Sequence, residues 1–135
     1  MKDKINILLI EDDADDVELL QEAFTNNHID YVMHVINDGA EVSGYLKKLT
    51  KFPDIIVMDL NLPRVHGKEI LKEIKSSAAY STIPVVVLTT SSSIEDKNYT
   101  LGLGANDFLI KPTSTKGLYH VVSVIVEIVE STKTR

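Results

Sequence analysis

Cysteine is absent from the 135 residues, which excludes disulfide frameworks, thiolate metal sites and cysteine nucleophiles. Tryptophan is absent too, and five tyrosines and three phenylalanines are the only aromatics, a poor supply for a base-stacking surface. Positive charge is in deficit: 14 Lys and Arg face 20 Asp and Glu, a formal charge of −6, which argues against a nucleic-acid backbone as the main partner. Apolar runs are short. Residues 83–88 form one of the longest, far below a membrane span, so no membrane insertion is expected. Met1-Lys2-Asp3-Lys4 leads directly into a strand-like run, with no signal-peptide core or cleavage site. With four prolines and six glycines there is no linker, low-complexity tract or internal repeat. A chain of this length holds one core of normal size and has no room for two. The expectation is one cytoplasmic domain over residues 1–135, with no separate output domain.

What is present is a regular alternation. Apolar runs at 5–10, 31–36, 54–58, 83–88 and 106–110 are separated by segments of helical period. Ile7-Leu8-Leu9-Ile10, Ile55-Ile56-Val57-Met58 and Val85-Val86-Val87-Leu88 are apolar at consecutive positions, as parallel strands covered on both faces require. The helical stripes are Val17/Leu20/Phe24, Val42/Leu46/Leu49 and Ile70/Leu71/Ile74, then a short polar segment over 93–101 and a final helix over 115–130. Asp13 is placed to cap the first helix, with Asp15 and Asp16 near the positive end of its dipole. Asn26-Asn27, Asn37-Asp38-Gly39, Gly102 and Gly104 read as turns, and Pro53 and Pro84 as strand starts. The order βαβαβαβαβα predicts an α/β fold, a doubly wound parallel sheet with helices on both faces.

In such a sheet ligands bind beyond the carboxyl ends of the strands, where strand order reverses. The strands end in Glu11-Asp12-Asp13, Asn37-Asp38-Gly39, Asp59-Leu60-Asn61, Thr89-Thr90-Ser91 and Lys111-Pro112. If strands 1 and 3 are neighbours, Glu11, Asp12 and Asp59 converge, and clustered carboxylates call for protons or a cation. All candidate ligands are oxygens, which favours Mg2+ or Mn2+ over Zn2+. A hydroxyl from Thr89 and an ammonium from Lys111 complete a site suited to a tetrahedral, anionic phosphoryl group.

These motifs carry a resemblance. Ile7-Leu8-Leu9-Ile10-Glu11-Asp12, Val57-Met58-Asp59-Leu60-Asn61-Leu62-Pro63 with Gly67, Val87-Leu88-Thr89 and Lys111-Pro112 resemble the receiver domain of two-component response regulators over essentially the whole chain. The likeness implies a flavodoxin-like five-stranded sheet of order 2-1-3-4-5 with five helices. It implies that Asp59 accepts a phosphoryl group from the phosphohistidine of a sensor histidine kinase or phosphotransfer protein. It also implies Mg2+ ligation by Asp12, Asp59 and the Asn61 backbone carbonyl, with Glu11 acting through metal-bound water. Lys111 would pair with Asp59 and then with phosphoryl oxygens, aimed by a cis bond to Pro112. Thr89, with the Thr90 backbone, would hold the phosphoryl group, and Phe108 stands at the position of the switch aromatic. Thr90 departs from the usual Ala or Gly beside the acceptor. Leu60-Asn61-Leu62-Pro63-Arg64 and Leu88-Thr89-Thr90-Ser91 look similar to stand-alone regulators paired with phytochrome-type or hybrid kinases.

Residue chemistry counts against the alternative readings. A haloacid-dehalogenase-type phosphatase wants an Asp two residues after its nucleophile, and Asn61 stands there. A flavodoxin-like FMN module needs a hydroxyl-rich loop after strand 1, where three acids stand instead. Residues 11–18 lack the Gly of a calcium loop, and Asp107 takes the third glycine position of a dinucleotide fingerprint begun at Gly102-Leu103-Gly104. The four histidines show no metal-ligand spacing. The chain is therefore expected to act as a phosphoacceptor switch, catalysing only its own phosphorylation and dephosphorylation, and to signal to a downstream protein through a surface of helix 4, strand 5 and helix 5. On that surface Thr89 is expected to move, letting Phe108 turn inward. Tyr119 and Val126, one heptad apart on helix 5, are expected to face a partner or a second copy in a homodimer.

Overall fold

A computed structural model describes residues 4–133; the charged lead-in read at Met1-Lys2-Asp3 lies outside them. Five parallel strands, β1 (Ile5–Ile10), β2 (Tyr31–Ile36), β3 (Ile55–Met58), β4 (Val85–Thr89) and β5 (Asp107–Ile110), form one sheet of order β2-β1-β3-β4-β5. The helices between and after them are α1 (Ala14–Asn26), α2 (Val42–Lys47, entered through a 3-10 turn at Gly39–Glu41), α3 (Gly67–Ser76), α4 (Ile94–Leu103) and α5 (Thr115–Lys133).

Alternation along each strand sorts the apolar residues into two cores. Ile7, Leu9, Ile55, Val57 and Val86 pack against Leu20 and Phe24 of α1 and Val121, Ile125 and Val129 of α5. Leu8, Ile10, Ile56, Met58, Val85 and Val87 pack against Leu46 of α2, Ile70, Leu71 and Ile74 of α3, and Phe108. Burial on both faces is why β1, β3 and β4 are apolar without alternation.

The ends follow local chemistry. Asp13 caps α1 by accepting the Asp15 and Asp16 N–H groups, Ser93 caps α4 through the Asp96 N–H, and α5 runs three residues past its expected end. Of Gly102 and Gly104, only Gly104 forms the turn expected of both: its φ of 113° terminates α4, whereas Gly102 lies inside that helix.

Candidate functional site

Strand order reverses between β1 and β3, and there the register sets Ile10 against Met58, so the next residues, Glu11 and Asp59, stand side by side. The Asp59 N–H donates to the Ile10 carbonyl at 3.0 Å, locking the two strand ends together. Both carboxylates are almost fully covered, at 4% and 5% exposure, while Asp12 and Asn61 beside them face solvent. Thr89 ends β4 fully buried, its Oγ1 accepting the Ser91 N–H at 3.3 Å. Lys111 follows β5, its main-chain N–H held by the Thr89 carbonyl at 2.8 Å.

The Asp59 carboxylate is held from both sides. Oδ1 accepts the N–H groups of Leu60 at 2.6 Å and Asn61 at 3.2 Å, and Oδ2 accepts from the Lys111 ammonium at 2.7 Å. That ammonium also lies 2.7 Å from Glu11 Oε1 and 2.8 Å from Asp16 Oδ2. Burial works against the Lys111 charge, but the bonds to Asp16, Asp59 and Glu11 outweigh it and hold the group above the usual lysine range. For Glu11 the balance goes the other way: burial raises its pKa, and the Lys111 ammonium and the Asp13 N–H offset only part of the rise.

Oxygen atoms of Glu11, Asp12 and Asp59 all lie within 4.8 Å of one another. Two buried carboxylates and one exposed one, all hard oxygen donors with open access from the Asp12 side, fit a divalent cation of the Mg2+ or Mn2+ kind.

The family model of the response regulator receiver domain matches residues 7–123. The chain belongs to that family. This receiver domain is 36% identical over 124 residues to the response regulator Rcp1 of Synechocystis sp., covering 88% of this chain and 84% of Rcp1. The crystal structure of the phosphorylated cyanobacterial phytochrome response regulator RcpA superimposes with a TM-score of 0.85 at 36% identity, covering 96% of each chain. The Mn2+-bound form of Rcp1 superimposes with a TM-score of 0.80 at 36% identity, covering 90% of this chain and 91% of that one. The domain is thus a two-component signalling module, and the sheet order and helices match the resemblance. Among the described residues no helix is long and apolar enough to cross a membrane.

Four expectations need correction or extension. The described residues contain no cis peptide bond, so Lys111–Pro112 is trans; Lys111 reaches the crevice regardless, because three carboxylates draw it there. Phe108 is already packed inside the core at 8% exposure, so no inward swing is needed to bury it. Tyr119 and Val126 do not face the α4–β5 side; they line a shallow groove of about 340 Å3 with Asn27 and Ile29, at the turn between α1 and β2. On α5, Val124 and Ile128 are among the residues that share a hollow with Asn106 and Asp107 at the start of β5. Finally, the sequence assigns Asp16 only a place near the helix dipole, and in the structure it also binds Lys111. Its position one helical turn after Glu11-Asp12 was the available signal, but only the fold shows that Lys111 comes within its reach.

Proposed function

We propose that this receiver domain accepts a phosphoryl group on Asp59 from the phosphohistidine of a sensor histidine kinase or a phosphotransfer protein. A carboxylate oxygen of Asp59 bonds to phosphorus as the phosphorus–nitrogen bond breaks, and the imidazole leaves with that electron pair. The observation that carries this reading is the buried Asp59 carboxylate at the reversal of strand order, held by two backbone amides and one ammonium. Asp12, Asp59 and the Asn61 carbonyl would hold Mg2+ (or Mn2+), with Glu11 acting through water. Bound there, the cation supplies the positive charge that lets a phosphoryl dianion approach three carboxylates.

The chain's own residues do the rest. Lys111 already lies against Asp59 Oδ2 and donates to a phosphoryl oxygen once one is attached. Thr89 exchanges its contact with the Ser91 N–H for one in which its hydroxyl donates to the phosphoryl group, and the Thr90 N–H adds a second donor. Since Phe108 is already inside, the motion that signals is that of the loop after Thr89 and of α4, not an aromatic swing. Exposed Ile94, Tyr99 and Leu101 on α4 and Ile110 on β5 are the apolar side chains there for a downstream protein. The domain works in the cytoplasm without turnover of external substrates.

Intact-mass measurement with acetyl phosphate tests the reading. The expected result is a gain of about 80 Da, one added PO3, only when Mg2+ is present, and none in Asp59→Asn. A gain that survives Asp59→Asn, or that ignores chelator, overturns it.

A further inference from the structure

We propose that Asp16 is a positioning residue of the acceptor site, the anion that keeps the Lys111 ammonium aimed at Asp59 when a divalent cation occupies the neighbouring carboxylates. The inference rests on the reading of Asp59 as acceptor and adds to it a residue that lies outside the metal cluster.

An ammonium has three N–H bonds, and three carboxylates surround that of Lys111 at 2.7, 2.8 and 2.7 Å. Two of them, Glu11 and Asp59, also belong to the group of oxygens able to hold a cation. A dication placed there draws on the same oxygens as Lys111 and repels its positive charge. Asp16 is the one partner of Lys111 that it does not share with the cluster. The side chain is well placed to resist that repulsion. Asp16 sits in the first turn of α1, where its N–H is bound by the Asp13 cap, and α1 is anchored by Leu20, Ala23 and Phe24. Leu19, Leu88, Pro112 and Leu118 wall the hollow around the pair, and Asp16 is only about one-third exposed, so water screens the contact incompletely. Without the cation, Glu11 and Asp59 hold Lys111 by themselves. With it, Asp16 is the anchor that remains. Asp15, in the same turn, is exposed and forms no ion pair among the described residues, so it shares the dipole role of Asp16 but not this one.

The test compares the full chain with Asp16→Ala, Asp16→Glu and Asp15→Ala. The Lys111 side-chain ammonium is followed by proton–nitrogen NMR with and without Mg2+, and Asp59 phosphorylation by acetyl phosphate is timed by intact mass. In the parent chain the ammonium resonance stays protected from exchange under both conditions. In Asp16→Ala it is protected without Mg2+ and lost with it, and phosphorylation slows about tenfold, the factor carried by one charge-assisted hydrogen bond. Asp16→Glu recovers both, and Asp15→Ala matches the parent. An Asp16→Ala chain that behaves as Asp15→Ala in both readouts overturns the proposal, as does one whose resonance is lost before Mg2+ is added. Absence of any mass gain at Asp59 in the parent chain would instead overturn the acceptor reading, so the two failures are distinct.

Discussion

Gly67 opens α3 against the loop that follows Asp59 with no room for a side chain. A Cβ built there would lie 2.5 Å from the Asp59 carbonyl oxygen, 2.5 Å from Leu60 Cα and 3.1 Å from the Leu60 carbonyl oxygen. All three contacts are backbone, so no rotamer can relieve them. Carbon atoms rest about 3.5–4.0 Å apart, so Gly67→Ala must open the loop by roughly 1 Å. The Gly67 N–H bond to the Leu60 carbonyl, 2.8 Å long, is stretched by the same movement. Overpacking of this kind costs about 1–3 kcal/mol, and two contacts below 3.0 Å place it near the upper end. The loop also carries the Leu60 and Asn61 amides that hold Asp59, so the carboxylate shifts with it. A misplacement of about 1 Å costs on the order of a hundredfold in rate. Gly44→Ala is the control: it lies inside α2 with nothing within 4 Å of its Cβ, and should gain roughly 0.5–1 kcal/mol. Urea unfolding followed by circular dichroism gives the stabilities, and intact mass with Mg2+ and acetyl phosphate gives the rates. If Gly67→Ala unfolds within about 0.5 kcal/mol of the parent and is phosphorylated as fast, the steric argument is wrong.

Lys111→Met leaves Glu11 and Asp59 buried together without their cation, which should cost about 3 kcal/mol in chelator; Mg2+ should restore part of it, and equal unfolding midpoints with and without Mg2+ would refute the explanation. Asp96 is held below the usual aspartate range by the Lys68 ammonium at 2.5 Å and the Ser91 hydroxyl at 2.6 Å. Its folded pKa is depressed, so the stability it contributes is present above its unfolded pKa and is lost as pH falls through the folded value; Asp96→Asn should flatten the urea midpoint's fall between about pH 5 and about pH 3, and an unchanged slope would count against the pairing. Replacing both Tyr119 and Val126 with Glu should weaken self-association measured by sedimentation while leaving Asp59 phosphorylation intact, because both line the groove with Asn27 and Ile29 and neither lines the hollow around Lys111; a loss of phosphorylation would contradict that placement.

The local sequence was sufficient for the sheet and for the membership of its carboxyl edge. Uninterrupted apolar runs such as Ile55–Met58 are stable only when covered on both faces, and that requirement already implies parallel strands with helices on either side. The acids, hydroxyls and lysine that follow those runs must then share one edge of the sheet, while the strand order that gathers Glu11, Asp12, Asp59, Thr89 and Lys111 into one site was legible only through the family resemblance. Tertiary packing decided the rest, because rotation about a helix axis and long-range charge pairing have no local signature. The face of α5 is set by Val121, Val122, Ile125 and Val129 meeting α1 and the sheet, which turns Tyr119 and Val126 toward Ile29 and leaves Val124 and Ile128 beside β5. Phe108 lies inward because the core on the α3 side has space for it, which periodicity in a four-residue strand does not reveal. Asp16 and Lys111, 95 residues apart in the chain, meet because α1 and the end of β5 flank the same crevice, and three carboxylates, not the isomer of Lys111–Pro112, bring the ammonium there.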